Sequence, residues 1–231
     1  GTITAWGGMV TNVPKDLDAV QEISCLSHHA FALKQDGTVV GWGHDDYGVI
    51  AQTPADLKEV IAVDVSNEIV DSAGRMKNIR IVLSNGTSIP VKPKSIDIIY
   101  SNQLMEHLHP DDAVEQLSNI YNALKKNGIY VCVTPNKLNG PHDVSMYFDE
   151  EAKGLHLKEY TNGELEDLFT RVGFRRIQPY SCLRNHFFPV PIFLVLLIER
   201  FLQALPYAFL IKITQTVLFR ELLGLRVTAL K

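Results

Sequence analysis

The chain is expected to fold as an α/β domain built on parallel strands, with an incomplete sheet, behind an N-terminal all-β repeat segment. Three observations carry that expectation. From about residue 60 onward short apolar runs alternate with helical stripes, the pattern of strands covered by crossover helices. Within it, the run Lys94 to Tyr100, the stripe Val114 to Leu124 and the run Ile129 to Thr134 form one strand, helix, strand unit with short joints. The first sixty residues instead repeat a Trp-Gly pattern among strand-like stretches.

Taken in order, Gly1-Thr2-Ile3-Thr4-Ala5-Trp6-Gly7 recurs as Gly37-Thr38-Val39-Val40-Gly41-Trp42-Gly43, and Val13-Pro14-Lys15-Asp16-Leu17 recurs as Thr53-Pro54-Ala55-Asp56-Leu57. Such a period, with short alternating strands, points to propeller blades or a related all-β array. With His28-His29-Ala30-Phe31-Ala32-Leu33-Lys34-Gln35-Asp36-Gly37 between the copies, the segment resembles the bacterial form of the repeats named after the regulator of chromosome condensation. One complete unit and part of another are present, and a propeller needs several blades to bury their faces. The resemblance implies a protein partner as the use of such a segment. The expected division is a repeat fragment over 1–62 and the α/β domain over 63–231. Leu57 to Val63 serves equally as a closing strand of the repeat or as a strand of the domain that follows.

The β-branched run Ile79 to Leu83 reads as a strand, and Ser84-Asn85-Gly86 as the turn that ends it. Lys94 to Tyr100 then reads as a buried parallel strand whose carboxyl end opens at Ser101-Asn102-Gln103. A helix follows, with Pro110 as its first residue, Asp111 and Asp112 in its first turn, and Lys125-Lys126 in its last turn before Asn127-Gly128. Its apolar stripe is Val114, Leu117, Ile120, Tyr121 and Leu124. A right-handed crossover makes Ile129 to Thr134 a second, parallel strand, and because ligands of open sheets bind beyond the strand carboxyl ends, this points at Ser101 to His107 and at Thr134-Pro135-Asn136.

Further on, Thr161 and Glu164 form a capping box for a helix with Leu165, Leu168, Phe169 and Val172 on one face, stopped at Gly173. Phe174 to Ile177 and Leu225 to Lys231 read as strands. Between them an apolar insert at about 183–222 is broken by Pro189, Pro191 and Pro206 and by Glu199-Arg200, so it falls short of a membrane span. Two helices that cover the substrate side, an interfacial patch over 187–213 with Arg200, Lys212 and Arg220 near lipid headgroups, or a plain buried helical insert are the expected readings of it.

These residues resemble a known family. Asp64 after Val60-Ile61-Ala62-Val63, then Ser84-Asn85-Gly86-Thr87-Ser88-Ile89-Pro90, Ser95-Ile96-Asp97, Leu104-Met105-Glu106-His107-Leu108, Leu124 to Gly128, Tyr160-Thr161 and Gly173-Phe174 look like successive motifs of class I S-adenosylmethionine-dependent methyltransferases. The resemblance implies a Rossmann-like sheet, S-adenosylmethionine as cofactor and a small or lipid-linked methyl acceptor. It implies that Asp64 takes the ribose hydroxyls, that Asn85, Gly86 and Thr87 line the adenine, and that Ser101, Asn102 and Gln103 surround the sulfonium and amino-acid end. His107 is the best placed imidazole for a base, and His156, Glu159 and Tyr160 are placed to close over a substrate. Each position has a plainer reading too: a strand end, a tight turn, a helix cap or an ordered loop.

The family's first motif, a strand with a glycine-rich loop, departs from the pattern. Val39-Val40-Gly41-Trp42-Gly43-His44-Asp45-Asp46-Tyr47-Gly48 stands in its place, with a bulky Trp42 between the glycines and Val39 where an acidic residue belongs. Gly41-Trp42-Gly43 is also the signature of the repeat, and on that reading a central strand and the main cofactor loop are lost. The protein would then be a non-catalytic remnant.

Composition bounds partners and compartment. With 231 residues and 46% hydrophobic content the chain can bury a real core. A net charge of -4 and a pI near 6.1 argue against a nucleic-acid backbone as partner. Cys25, Cys132 and Cys182 are an odd, scattered set, expected as reduced thiols in a cytoplasmic protein. The histidines at 28, 29, 107, 109, 142 and 156 follow no zinc spacing, so no metal is expected.

Overall fold

A computed structural model describes residues 13, 14, 17–25, 29–35, 39–43, 60–64, 79–183 and 186–231. The chain divides into two compact units, residues 1–84 and 85–231. In the first, β1 (Val20–Cys25), β2 (His29–Lys34) and β3 (Val39–Gly43) form an antiparallel meander in that order. Trp42 packs with Ala30 and Ala32 in its small core, against Val13, Leu17 and Val20. β4 (Val60–Asp64) and β5 (Ile79–Leu83) form a separate parallel pair, with Asp64 opposite Leu83.

The second unit is a five-stranded sheet with helices. β6 (Ile96–Asn102) leads into a 3-10 turn, Met105–His107, and then α1 (Pro110–Ala123). β7 (Leu124–Thr134) runs parallel to β6, so the crossover forms as expected. α2 (Asn162–Val172) precedes β8 (Arg175–Leu183) and β9 (His186–Pro189). The helices α3 (Ile192–Gln203), α4 (Tyr207–Thr214) and α5 (Val217–Leu223) lead to β10 (Leu225–Leu230). The strand order is β6-β7-β10-β8-β9, with β10 antiparallel to both neighbours.

The caps explain why the helices begin and end where they do. α1 opens at Pro110, with the His109 ring accepting from the backbone N–H of Asp111 at 3.4 Å. α2 carries the complete capping box, with Thr161 and Glu164 bonded reciprocally, and ends at Gly173, whose φ of +115° suits a glycine. At the far end of α1 the Lys231 ammonium bonds the carbonyls of Tyr121 and Leu124, a cation at a helix carboxyl end.

The core lies between the sheet and the helices α1 and α2. Leu117, Ile120, Leu124, Leu165, Leu225 and Val227 surround Tyr130, Phe169 and Phe174. The ring centroids of Phe169 and Phe174 lie 5.5 and 6.0 Å from that of Tyr130, within the favourable range for aromatic pairs.

Several expectations need correction. The helix stops at Ala123 rather than at Lys126, because Leu124 is already extended and Lys125 pairs with Asp97 across the parallel strands at 2.7 Å. Lys125 to Gly128 therefore belong to β7, with Asn127 in the left-handed region. Val114 is exposed, and Ala113, Gln116, Leu117, Ile120 and Ala123 form the buried face. β6 is not a buried strand. Among the described residues its one strand neighbour is β7, and Ile98 and Tyr100 are about 60% exposed. β8 and β10 pair antiparallel, β9 adds a further strand beyond β8, and the apolar insert holds three helices rather than two. None of these helices is long and apolar enough to cross a membrane.

Candidate functional site

The carboxyl ends of β6 and β7 hold most of the chemistry in the second unit. The backbone leaves β6 through Gln103, whose φ of +52° is uncommon for a non-glycine residue, and Gln103 N–H still bonds the Val133 carbonyl at 2.8 Å. The turn Met105–His107 then places Glu106 inward and His107 outward. Glu106 is fully buried, and its Oε2 accepts from the Thr134 hydroxyl at 2.7 Å. The backbone carbonyl of Glu106 accepts from Leu157 and Lys158 at 2.7 and 3.2 Å, which clasps this turn to the segment carrying His156.

That segment is itself held from below. Asp143 accepts from the backbone N–H groups of Ser145, Gly154 and His156 at 2.9, 3.0 and 3.0 Å. Glu159 Oε1 takes both His142 N–H and His156 Nδ1 at 2.7 Å. His107 Nδ1 meets the Leu155 carbonyl at 3.1 Å, and the His107 and His156 rings stand edge to face at 5.0 Å. Burial alone would raise the pKa of Asp143, but the hydrogen bonds from His156, Ser145 and Leu155 outweigh it and hold the carboxyl well below the usual carboxylate range. Its stabilising contribution is therefore complete above the unfolded carboxylate value of about 4 and is lost as pH falls through the lower folded value. Asp143→Asn should lower the melting temperature near neutrality and flatten the acid decline below about pH 4, read by thermal melts across that range. Parallel acid limbs in the two proteins would refute this role.

The expected site residues fall in three places. Asp64 ends β4 in the first unit. Asn85, Gly86 and Thr87 form an Asx turn: Asn85 Oδ1 accepts from Thr87 and Ser88 N–H, and Gly86 has φ +99°. α1 pins this turn, through Gln116 to the Gly86 carbonyl at 2.6 Å, Glu115 to the Thr87 hydroxyl and Asn119 to the Thr87 carbonyl. Ser101, Asn102 and Gln103 stand with His107 at the strand end. Asn102 and Gln103 are exposed, whereas the Ser101 hydroxyl is buried against Tyr130 Oη at 2.7 Å. Burial pushes the Tyr130 phenol well above its ordinary value and the Cys132 thiol up to about 11, so neither supplies an anion near neutrality.

Sequence reasoning pointed at residues 101–107 and 134–136 as this end of the sheet, but it missed Asp143 and the contacts that hold Glu106, Thr134 and Asn136 in place. Asn136 Nδ2 donates to the Leu223 carbonyl at 2.8 Å and to Glu199, while its Oδ1 caps the turn at Leu138. No local pattern announces such contacts, because their partners lie up to 87 residues away.

Residues 40–132 match the family model described as a methyltransferase domain. Residues 20–49 match the regulator of chromosome condensation repeat, so the two matches share residues 40–49. Three solved structures resemble this chain. A methyltransferase from Thermotoga maritima is 20% identical, with 55% of this chain and 60% of that one covered and a TM-score of 0.45. One from Archaeoglobus fulgidus is 20% identical, with 74% and 75% covered and a TM-score of 0.45. Phosphoethanolamine N-methyltransferase 2 of Haemonchus contortus, in complex with S-adenosyl-L-methionine, is 18% identical, with 75% and 43% covered and a TM-score of 0.46. The chain thus spans less than two thirds of the Thermotoga and Haemonchus proteins. No curated protein matches.

S-adenosylmethionine is the methyl donor of a methyltransferase domain, and the residues present fit it in part. The polar strand end at Asn102 and Gln103 and the turn at Asn85 to Thr87 are where backbone and short polar side chains are offered. The glycine segment does not fit. Gly41 and Trp42 lie in β3, paired antiparallel with Phe31 and Ala30 of β2, and the indole fills the core of the meander. A cofactor loop needs a strand that runs into a helix, with backbone open to the ligand. His44 to Gly48 lie outside the described residues.

Proposed function

We propose that the protein transfers a methyl group from S-adenosylmethionine to a small or lipid-linked acceptor. The observation that carries this reading is the polar carboxyl end of the parallel pair β6 and β7, with Asn102, Gln103 and His107 exposed above the buried Glu106 and Thr134. Ligands of open α/β sheets bind there. Asp64 would take the ribose hydroxyls, Asn85 to Thr87 the adenine, and Ser101 to Gln103 the amino-acid end. Methyl transfer is an in-line displacement that asks the protein chiefly for alignment and exclusion of water. His107 would accept a proton when the acceptor arrives protonated.

A lipid-linked acceptor is favoured by the apolar surface of the three helices before β10. Phe193, Leu197 and Phe201 on α3, Phe209 on α4 and Val217 and Leu218 on α5 are all exposed, the kind of surface that meets an acyl chain or an interface. The meander is a module for protein contacts on this reading. A second reading, a remnant that no longer binds cofactor, is favoured by the placement of Gly41 and Trp42 in the meander.

Calorimetric titration with S-adenosylmethionine and with S-adenosylhomocysteine separates the two. The first reading expects binding in the micromolar range, weakened at least about tenfold by Asp64→Ala, a loss of about 1.4 kcal/mol or more. No heat from a folded sample would sink it and leave the second.

A further inference from the structure

Glu106, His107 and His156 each offer a ligand atom, and the three atoms lie within 4.8 Å of one another. Glu106 Oε1 is buried and has no hydrogen-bond partner among the described residues, although Oε2 is fixed by Thr134. A buried carboxylate oxygen left alone is costly, and a carboxylate in that state with two imidazoles within reach calls for a cation. The histidines are set to receive one. Nδ1 of His107 faces a carbonyl oxygen and Nδ1 of His156 faces the Glu159 carboxylate. Both partners only accept, so in the neutral rings Nδ1 carries the proton and Nε2 presents its lone pair. That is the outer-sphere arrangement that orients and strengthens histidine ligands.

We propose that Glu106, His107 and His156 bind one divalent first-row transition-metal ion, zinc or an ion of similar preference. Two imidazoles and one carboxylate are ligands such ions accept while keeping positions open. Tetrahedral ligands at bond lengths of about 2.0–2.1 Å stand roughly 3.3 Å apart, so the three groups, now within 4.8 Å of one another, draw together when the ion binds. The two halves are already joined, since the Glu106 carbonyl holds Leu157 and Lys158 N–H and Asp143 holds His156 N–H. His107 and His156 are separated by 49 residues in sequence, which is why no spacing motif reveals the site. The site does not rest on methyl transfer, and with the ion bound His107 serves as its ligand in place of the free base proposed above.

The test uses the full chain stripped with a chelator and returned to chelator-free buffer. Titration with Co²⁺ is followed by visible absorption and titration with Zn²⁺ by calorimetry, with folding of every variant checked by circular dichroism. One ion per chain is expected, with affinity reduced about 100-fold or more by His107→Ala and by His156→Ala, and about 10–100-fold by Glu159→Gln, which touches no metal but orients His156. His109→Ala should bind as the parent does. His107 is exposed, so its variant tests the site even where Glu106→Gln fails to fold. Absence of binding, or a His107→Ala protein that binds as tightly as the parent, overturns the proposal.

Discussion

Glu199→Ala should destabilise the second unit by about 3–5 kcal/mol, one of the largest losses expected from a single polar substitution in this protein. Glu199 sits on α3, is almost fully buried, and accepts from four donors. Oε1 takes the backbone N–H and the side-chain amide of Asn162 at 2.8 and 2.9 Å and the Asn136 amide at 3.3 Å, and Oε2 takes Gly163 N–H at 3.0 Å. Two of these donors are otherwise unpaired groups of the first turn of α2, where a negative charge is also favoured by the helix dipole. Alanine leaves them buried with no partner. Glu199→Gln keeps one acceptor oxygen but turns an N–H donor toward others, so an intermediate loss of about 1–3 kcal/mol is expected. Urea denaturation measures both. A Glu199→Ala protein within 1 kcal/mol of the parent would mean that water replaces the carboxylate and that this junction is not buried as described.

Phe169→Ala should cost about 3–5 kcal/mol by a different route, the cavity left when a large side chain is removed from a packed core. Phe169 is fully buried and is in ring contact with both Tyr130 and Phe174, so the lost atoms are apolar and the neighbours are held by the sheet. Val114→Ala, on the exposed side of α1, should change stability by less than about 0.5 kcal/mol. The same urea series reports both. Equal losses at the two positions would contradict the assignment of faces, and a Phe169→Ala loss under 1 kcal/mol would contradict the ring cluster.

The crossover from β6 through α1 to β7 was legible because each of its signals is local: the proline and acidic residues at the start of α1, the apolar spacing, and the apolar run Ile129 to Thr134. The capping box at Thr161 and the stop at Gly173 were legible for the same reason. What escaped was set by long-range pairing. Lys125 and Lys126 read as a helix end until Asp97 drew Lys125 into the strand. Ile98 and Tyr100 read as buried because periodicity reports apolarity and not whether a neighbouring strand is present. β9 was hidden inside an apolar run whose prolines pointed only to breaks.

The candidate site divides likewise. Asn102, Gln103 and His107 stand at the strand end, as the motif order implied. The Ser101 hydroxyl is committed to Tyr130, and the side chain of Asn85 to its own turn. Glu106 lies one residue before His107 in a stretch already singled out, yet its inward orientation comes from the 3-10 turn and from Thr134, which no spacing rule encodes.

The position of β10 has a consequence for how the second unit is made. β10 comes last in sequence but sits third in the sheet, between β7 and β8. Until residues 225–230 leave the ribosome, the nascent sheet exists as two halves, β6 with β7 and β8 with β9, whose inner edges face no partner. Such edges invite pairing with other chains during synthesis. Closure of the sheet therefore waits for these residues, and a chain stopped before Leu225 leaves both edges open.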